Sequence, residues 1–118
     1  MKLLLDTNFL MLPAQHKVDI YSKLKGHEFL TTVQCIKELK KIAKGKGKPA
    51  VHAKVALELA ENNVKVVSAE GNPDSAILDY AVRNNCAVAT NDRILIQSLK
   101  RHNIKIIRLR QWKLLTEE

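Results

Sequence analysis

The chain has 118 residues, 46% of them hydrophobic and 27% charged, and no apolar run approaches the ~20 residues of a membrane span. Twenty Lys and Arg against twelve Asp and Glu give a net charge of +8, so nucleic acid is the default partner and a membrane is not expected. The length allows one domain, 1–118, with 110–118 as a C-terminal tail. In chain order, KLLL at 2–5 reads as a buried parallel strand that ends at Asp6. A helix-rich segment from Asn8 to Leu24 follows, interrupted at Pro13. EFLTT at 28–32 is a second strand. Thr31 with Gln34 suggests a capping box opening the next helix, which carries Ile36, Leu39, Ile42 and Ala43 on one face. That helix is expected to stop at Gly45 or Gly47, inside a flexible basic loop, AKGKGKP.

A third helix is expected from Ala50 to Glu61, and a third strand at 64–67. Asn72-Pro73 is a helix start, with Asn as N-cap and Pro in the first helical position. AVAT at 87–90 is a fourth strand, leading into Asn91-Asp92 and a helix to His102. IKIIRL at 104–109 is a fifth. Five short apolar strands alternating with helices predict an α/β domain with a mainly parallel sheet. Ligands in such sheets sit outside the carboxyl ends of the strands, near a switch in strand order.

Four acids are expected at that edge. Asp6 ends the first strand and Asp92 follows the fourth. Asp74 lies in the first turn of the helix after the third strand, and Glu38 lies in the helix after the second. Carboxylates a few Å apart repel one another unless a proton or a cation intervenes. Mg²⁺ or Mn²⁺, one ion or two, would take their hard oxygens and activate water for attack on a phosphate. Taken singly, each acid has a plainer reading. Asp74 and Asp92 suit helix capping, and Glu38 suits pairing with its neighbouring lysines. Asp6 resists that reading, because a carboxylate at the end of a buried strand is costly unless satisfied.

LLLDTNFL at 3–10, Glu38 in CIKELKKI, PDSAILDYA at 73–81 and ATNDRIL at 89–95 together resemble the PIN-domain nucleases. The ordered set covers nearly the whole chain. KELKKIAKGKGK and RLRQWKLL resemble more specifically the archaeal relatives of the PIN endonuclease that processes precursor ribosomal RNA. The resemblance implies a three-layer α/β/α fold with a central five-stranded sheet. It implies that Asp6, Glu38, Asp74 and Asp92 are catalytic and bind Mg²⁺ or Mn²⁺. Asn8, Thr90 and Asn91 would be polar support. The implied reaction is hydrolysis of RNA to 5′-phosphate and 3′-hydroxyl ends, with precursor ribosomal RNA as substrate. A homodimer and ribosome-assembly proteins are the protein partners it allows. Asp79, five residues after Asp74, reads as a surface charge.

The basic residues fall in two groups. Lys37, Lys40, Lys41, Lys44, Lys46 and Lys48 surround the single acid Glu38. Lys100, Arg101, Lys105, Arg108, Arg110 and Lys113 form an acid-poor second group. The first group, with Arg108 and Arg110, is expected to contact the RNA backbone. The early interruption of the N-terminal apolar run by Asp6 argues against a signal peptide, and Cys35 and Cys86 lack CxxC spacing. Both features suit the cytoplasm. Trp112 is expected to pack against a partner chain. Two rivals stay open: a toxin ribonuclease of a toxin–antitoxin pair, and a catalytically idle RNA-binding scaffold.

Overall fold

The computed structural model describes residues 1–110 and 113–117. The first strand, β1 (Lys2–Leu5), carries three leucines with no exposed surface, because both its edges and both its faces are covered. Its neighbours are β2 (Glu28–Thr32) and β4 (Ala87–Ala89), both parallel to it. Beyond them lie β3 (Val64–Val67) and β5 (Ile106–Arg110), also parallel. The strand order is β3-β2-β1-β4-β5-β6. The chain thus builds outward from β1 to β3, then returns to the other side of β1. That reversal puts the switch point between β1 and β4.

The sheet agrees with the expected α/β class, five parallel strands at its centre. A sixth strand was not expected. Lys113–Glu117 forms β6, antiparallel to β5, where the sequence suggests a plain tail. The expectation for Trp112 lies outside the described residues.

The helices are α1 (Thr7–His16), α2 (Ile20–Lys23), α3 (Val33–Ala43), α4 (Gly47–Asn63), α5 (Pro73–Asn84) and α6 (Arg93–Arg101). Helices α1, α3 and α4 pack together, and α5 packs on α6. Right-handed crossovers place these two groups on opposite faces of the sheet. Leu10 and Leu39 from the first group, and Ile77 and Leu99 from the second, are buried completely against it.

Three boundaries differ from the sequence reading, each for a physical reason. Pro13 lies inside α1, which ends only at His16. Proline removes one N–H late in the helix, whereas Lys17 in the left-handed conformation terminates it. The N-cap of α3 is Thr32, whose hydroxyl accepts from the Cys35 N–H at 3.2 Å. Thr31 points elsewhere and donates to the Leu5 carbonyl at 2.8 Å. The basic loop is short. Helix α3 ends at Ala43 and α4 begins at Gly47, with Pro49 in the first turn, where its missing N–H costs nothing.

Leu39→Ala should destabilise the protein by about 2–5 kcal/mol in urea unfolding, because it opens a cavity in the core. Ile94→Ala, at a side chain 75% exposed, should stay within about 0.5 kcal/mol.

Candidate active site

Asp6 leaves the sheet at the end of β1, where its N–H still bonds the Ala89 carbonyl of β4 at 3.3 Å. Its carboxylate caps α1, with Oδ1 accepting the Phe9 N–H at 2.8 Å. Oδ2 accepts a hydrogen bond from the Thr90 hydroxyl. Thr90 Oγ1 in turn accepts the Asp92 N–H at 3.1 Å. One fully buried threonine therefore ties the aspartate after β1 to the backbone of the aspartate after β4. Asp92 also caps α6, accepting from the Ile94 and Leu95 N–H groups at 2.9 and 3.1 Å.

Asp74 arrives by another route. Asn72 Oδ1 accepts the Ser75 N–H at 2.9 Å and opens α5, as Asn72-Pro73 suggests. Asp74 follows in the first turn, exposed. Glu38 is exposed on α3, in the middle of the helix.

The structure brings all four acids to one cavity of about 190 Å³. Thr7, Asn8, Cys35, Pro73 and Ile77 complete its lining. The cavity opens beside the β1/β4 switch point, where open α/β sheets place their ligands.

The electrostatics of the cavity are strained toward protonation. Burial pushes the Asp6 carboxyl up from 3.8 to about 6, despite the bonds from Thr90 and Phe9, and the charges of Asp74 and Asp92 add to the rise. Asp74 is also raised, first by desolvation and then by Asp92 and Glu38. A divalent cation would relieve the same repulsion.

Among the described residues, no group of three His, Cys, Asp or Glu side chains is arranged to hold a metal ion. The donor chemistry is nevertheless that of a hard divalent cation, which accepts carboxylate and hydroxyl oxygens and keeps several waters. Thr7 supplies a further observation. Its hydroxyl is buried in the cavity wall and has no hydrogen-bond partner among the described residues. An orphaned hydroxyl in a cavity lined by carboxylates suits a site that receives water or a hydrated ion.

The supporting residues divide. Thr90 contacts Asp6 directly, and Asn8 is exposed on the cavity wall. Asn91 turns away, and its Oδ1 accepts the Leu109 N–H at 2.9 Å, fastening the loop to β5. Asp79 is off the site and pairs with Arg83 at 3.0 Å. The sequence reading passed over Thr7, although it sits inside the DTN triplet. Only its position at the start of α1, against the cavity, singles it out.

Lys37, Lys40 and Lys41 lie exposed on α3, the helix that carries Glu38. Lys44 and Lys46 lie at the α3–α4 elbow, and Lys48 is exposed in the first turn of α4 rather than in a loop. Arg108 is half-buried on β5, and Arg110 is exposed at its end.

The chain belongs to the PIN like domain family, which matches residues 3–112. Ribonuclease VapC9 of Archaeoglobus fulgidus is 32% identical over 112 residues, covering 92% of this chain and 82% of its own. Ribonuclease VapC4 of Methanocaldococcus jannaschii is 32% identical over 121 residues, covering 95% and 92%. The solved structure of the PIN domain endonuclease Utp24 superposes with a TM-score of 0.82 at 22% identity, over 98% of this chain and 90% of that one. That last likeness is one of fold.

The folded protein holds the Asp6 proton where the unfolded chain has lost it. Asp6 therefore favours the folded state fully below pH 3.8, and that contribution is lost as pH rises through about 6. The swing is of order 3 kcal/mol. In metal-free protein, Asp6→Asn should gain stability relative to wild type as pH is raised from about 4 to 7. Parallel stability curves for the two proteins would contradict the raised carboxyl.

Proposed function

We propose that this protein is a Mg²⁺- or Mn²⁺-dependent endoribonuclease that leaves 5′-phosphate and 3′-hydroxyl ends. The observation that carries the reading is the convergence of Asp6, Glu38, Asp74 and Asp92, from four elements, on one cavity at the switch point. These four would hold the metal. A bound divalent ion supplies polarisation of the phosphodiester and an ionised water near neutral pH. Thr90 keeps Asp6 oriented through its hydrogen bond and couples it to Asp92. The lysines of α3 and the α3–α4 elbow, with Arg110, would bind RNA phosphates. Such bonds give affinity without sequence specificity.

For the substrate, we favour precursor ribosomal RNA, on the resemblance carried by KELKKIAKGKGK and RLRQWKLL. A second reading is a toxin ribonuclease of a toxin–antitoxin pair. It is favoured by the two VapC ribonucleases at 32% identity. The two readings part in cells. Growth arrest by wild type but not by Asp92→Asn supports the toxin. Accumulation of precursor ribosomal RNA on loss of the protein supports processing.

Asp92→Asn should reduce Mn²⁺-dependent cleavage of RNA by about two orders of magnitude or more. Its thermal stability should be kept, since asparagine caps a helix as well as aspartate does. RNA binding should also be kept. Equal cleavage by both proteins would remove the acidic cavity from the chemistry, and cleavage by neither would favour the scaffold.

Replacing Lys40, Lys41, Lys44 and Lys46 together by Gln should flatten the dependence of log affinity on log salt. The slope should fall by about 0.7 for each phosphate of single-stranded RNA that these lysines neutralise. An unchanged slope would put the RNA path elsewhere.

A further inference from the structure

We propose that Gln34 is a positioning residue that fixes Asp74 relative to Glu38, an inference that rests on the metal site proposed above. Gln34 is the second residue of α3, and Glu38 lies four residues on, along the same side of that helix. The Gln34 side-chain amide reaches out of α3 to the connection between β3 and α5. Its Nε2 donates to the Ala69 carbonyl at 2.6 Å and to the Gly71 carbonyl at 3.0 Å. Among the described residues, no other hydrogen bond ties 68–71 to another element.

The connection has little freedom beyond that point. Gly71 has φ +100°, in the region that favours glycine, and a Cβ there would lie 2.8 Å from Ser75 Cβ. Asn72 follows at once, with its side chain on the Ser75 N–H and its carbonyl accepting the Ala76 N–H at 2.8 Å. Asp74 is therefore placed by a short rigid run: the amide clamp, the glycine turn, the cap and the first turn of α5. Helix α3 is itself anchored, with Cys35 and Leu39 fully buried. A single helix thus presents Glu38 to the cavity and holds the loop that delivers Asp74 to it.

The spacing matters because carboxylate ligands must be held within about 0.5 Å of productive geometry. Losing a group that orients a ligand typically costs about 10–100-fold in metal affinity. Gln34→Met keeps the length and the helix propensity but removes both donors. Gly71→Ala attacks the same loop from the other side, through its φ and the clash with Ser75.

The test compares wild type with both variants by Mn²⁺ calorimetry, thermal melting and hydrogen exchange of the Asn72, Asp74, Ser75 and Ala76 amides, the exchangeable ones in 72–76. Each variant should bind Mn²⁺ about tenfold or more weakly, with faster exchange at 72–76, and Gln34→Met should melt within a few degrees of wild type. A lowered melting temperature with unchanged Mn²⁺ affinity would make Gln34 a structural staple only and overturn the proposal. Unchanged exchange at 72–76 would overturn it too, whatever the metal does. If wild type binds no Mn²⁺, the metal reading of the cavity fails, and the exchange measurement alone decides whether Gln34 holds Asp74 in place.

Discussion

The site depends on one buried carboxylate. Asp6 sits at the end of the central strand with 7% of its surface exposed. An unpaired ion there would cost several kcal/mol. Two donors offset that cost in part, the Phe9 N–H and the Thr90 hydroxyl. They come from different directions, one from the helix that Asp6 begins and the other from the end of β4. Satisfying Asp6 therefore pins α1 to the end of β1 and closes the gap to β4. Thr90 passes the constraint on, because the same oxygen accepts the Asp92 N–H. Asp6, Thr90 and Asp92 act as a unit, and moving one displaces the others.

That unit is built to hold too much negative charge. The two bonds to Asp6 do not bring its carboxyl down to the usual range, and the neighbouring acids push it further up. A core under selection for stability alone would place a neutral residue there. Buried groups that disfavour folding concentrate where a site needs them. The net charge of +8 sharpens the contrast. Acids gather in one cavity while lysines cover the helix that leads away from it. A polyanion drawn to those lysines would meet the carboxylates beside α3, where its own charge requires a cation between them.

What the sequence makes legible follows from which interactions are local. The strands are readable because β1 and β4 are short apolar runs bounded by polar residues. The convergence of the acids is readable because a parallel sheet puts the carboxyl ends of all its strands on one side. Asn72-Pro73 is readable as a cap. The rest depends on bonds between distant residues. Gln34 reads as the second half of a capping box, and only the fold shows it reaching 35 and 37 residues along the chain. Thr31 and Thr32 are adjacent and alike, and the strand's alternation decides which bonds a carbonyl and which caps α3. Gly45 and Gly47 read as a flexible loop, yet α4 begins within it because Ala50, Ala53 and Ala56 bury against the other helices. Thr7 carries no signal of its own, since an orphaned hydroxyl is defined by what fails to reach it.

The cap and ligand readings of the acids are compatible, and the geometry explains why. Asp6 and Asp92 each cap a helix that begins at the carboxyl edge, and Asp74 lies in the first turn of a third. A helix N-terminus favours negative charge, so it is a place where a carboxylate can be kept ionised and oriented without a basic side chain. A basic partner would neutralise the acid and compete with a cation for it. A backbone N–H fixes the carboxylate group and leaves lone pairs on both oxygens. Capping is thus a way of aiming carboxylates into a shared cavity while preserving their charge. The sheet supplies the common edge, the helices supply the aim, and the repulsion that remains uncompensated is what a divalent ion would relieve.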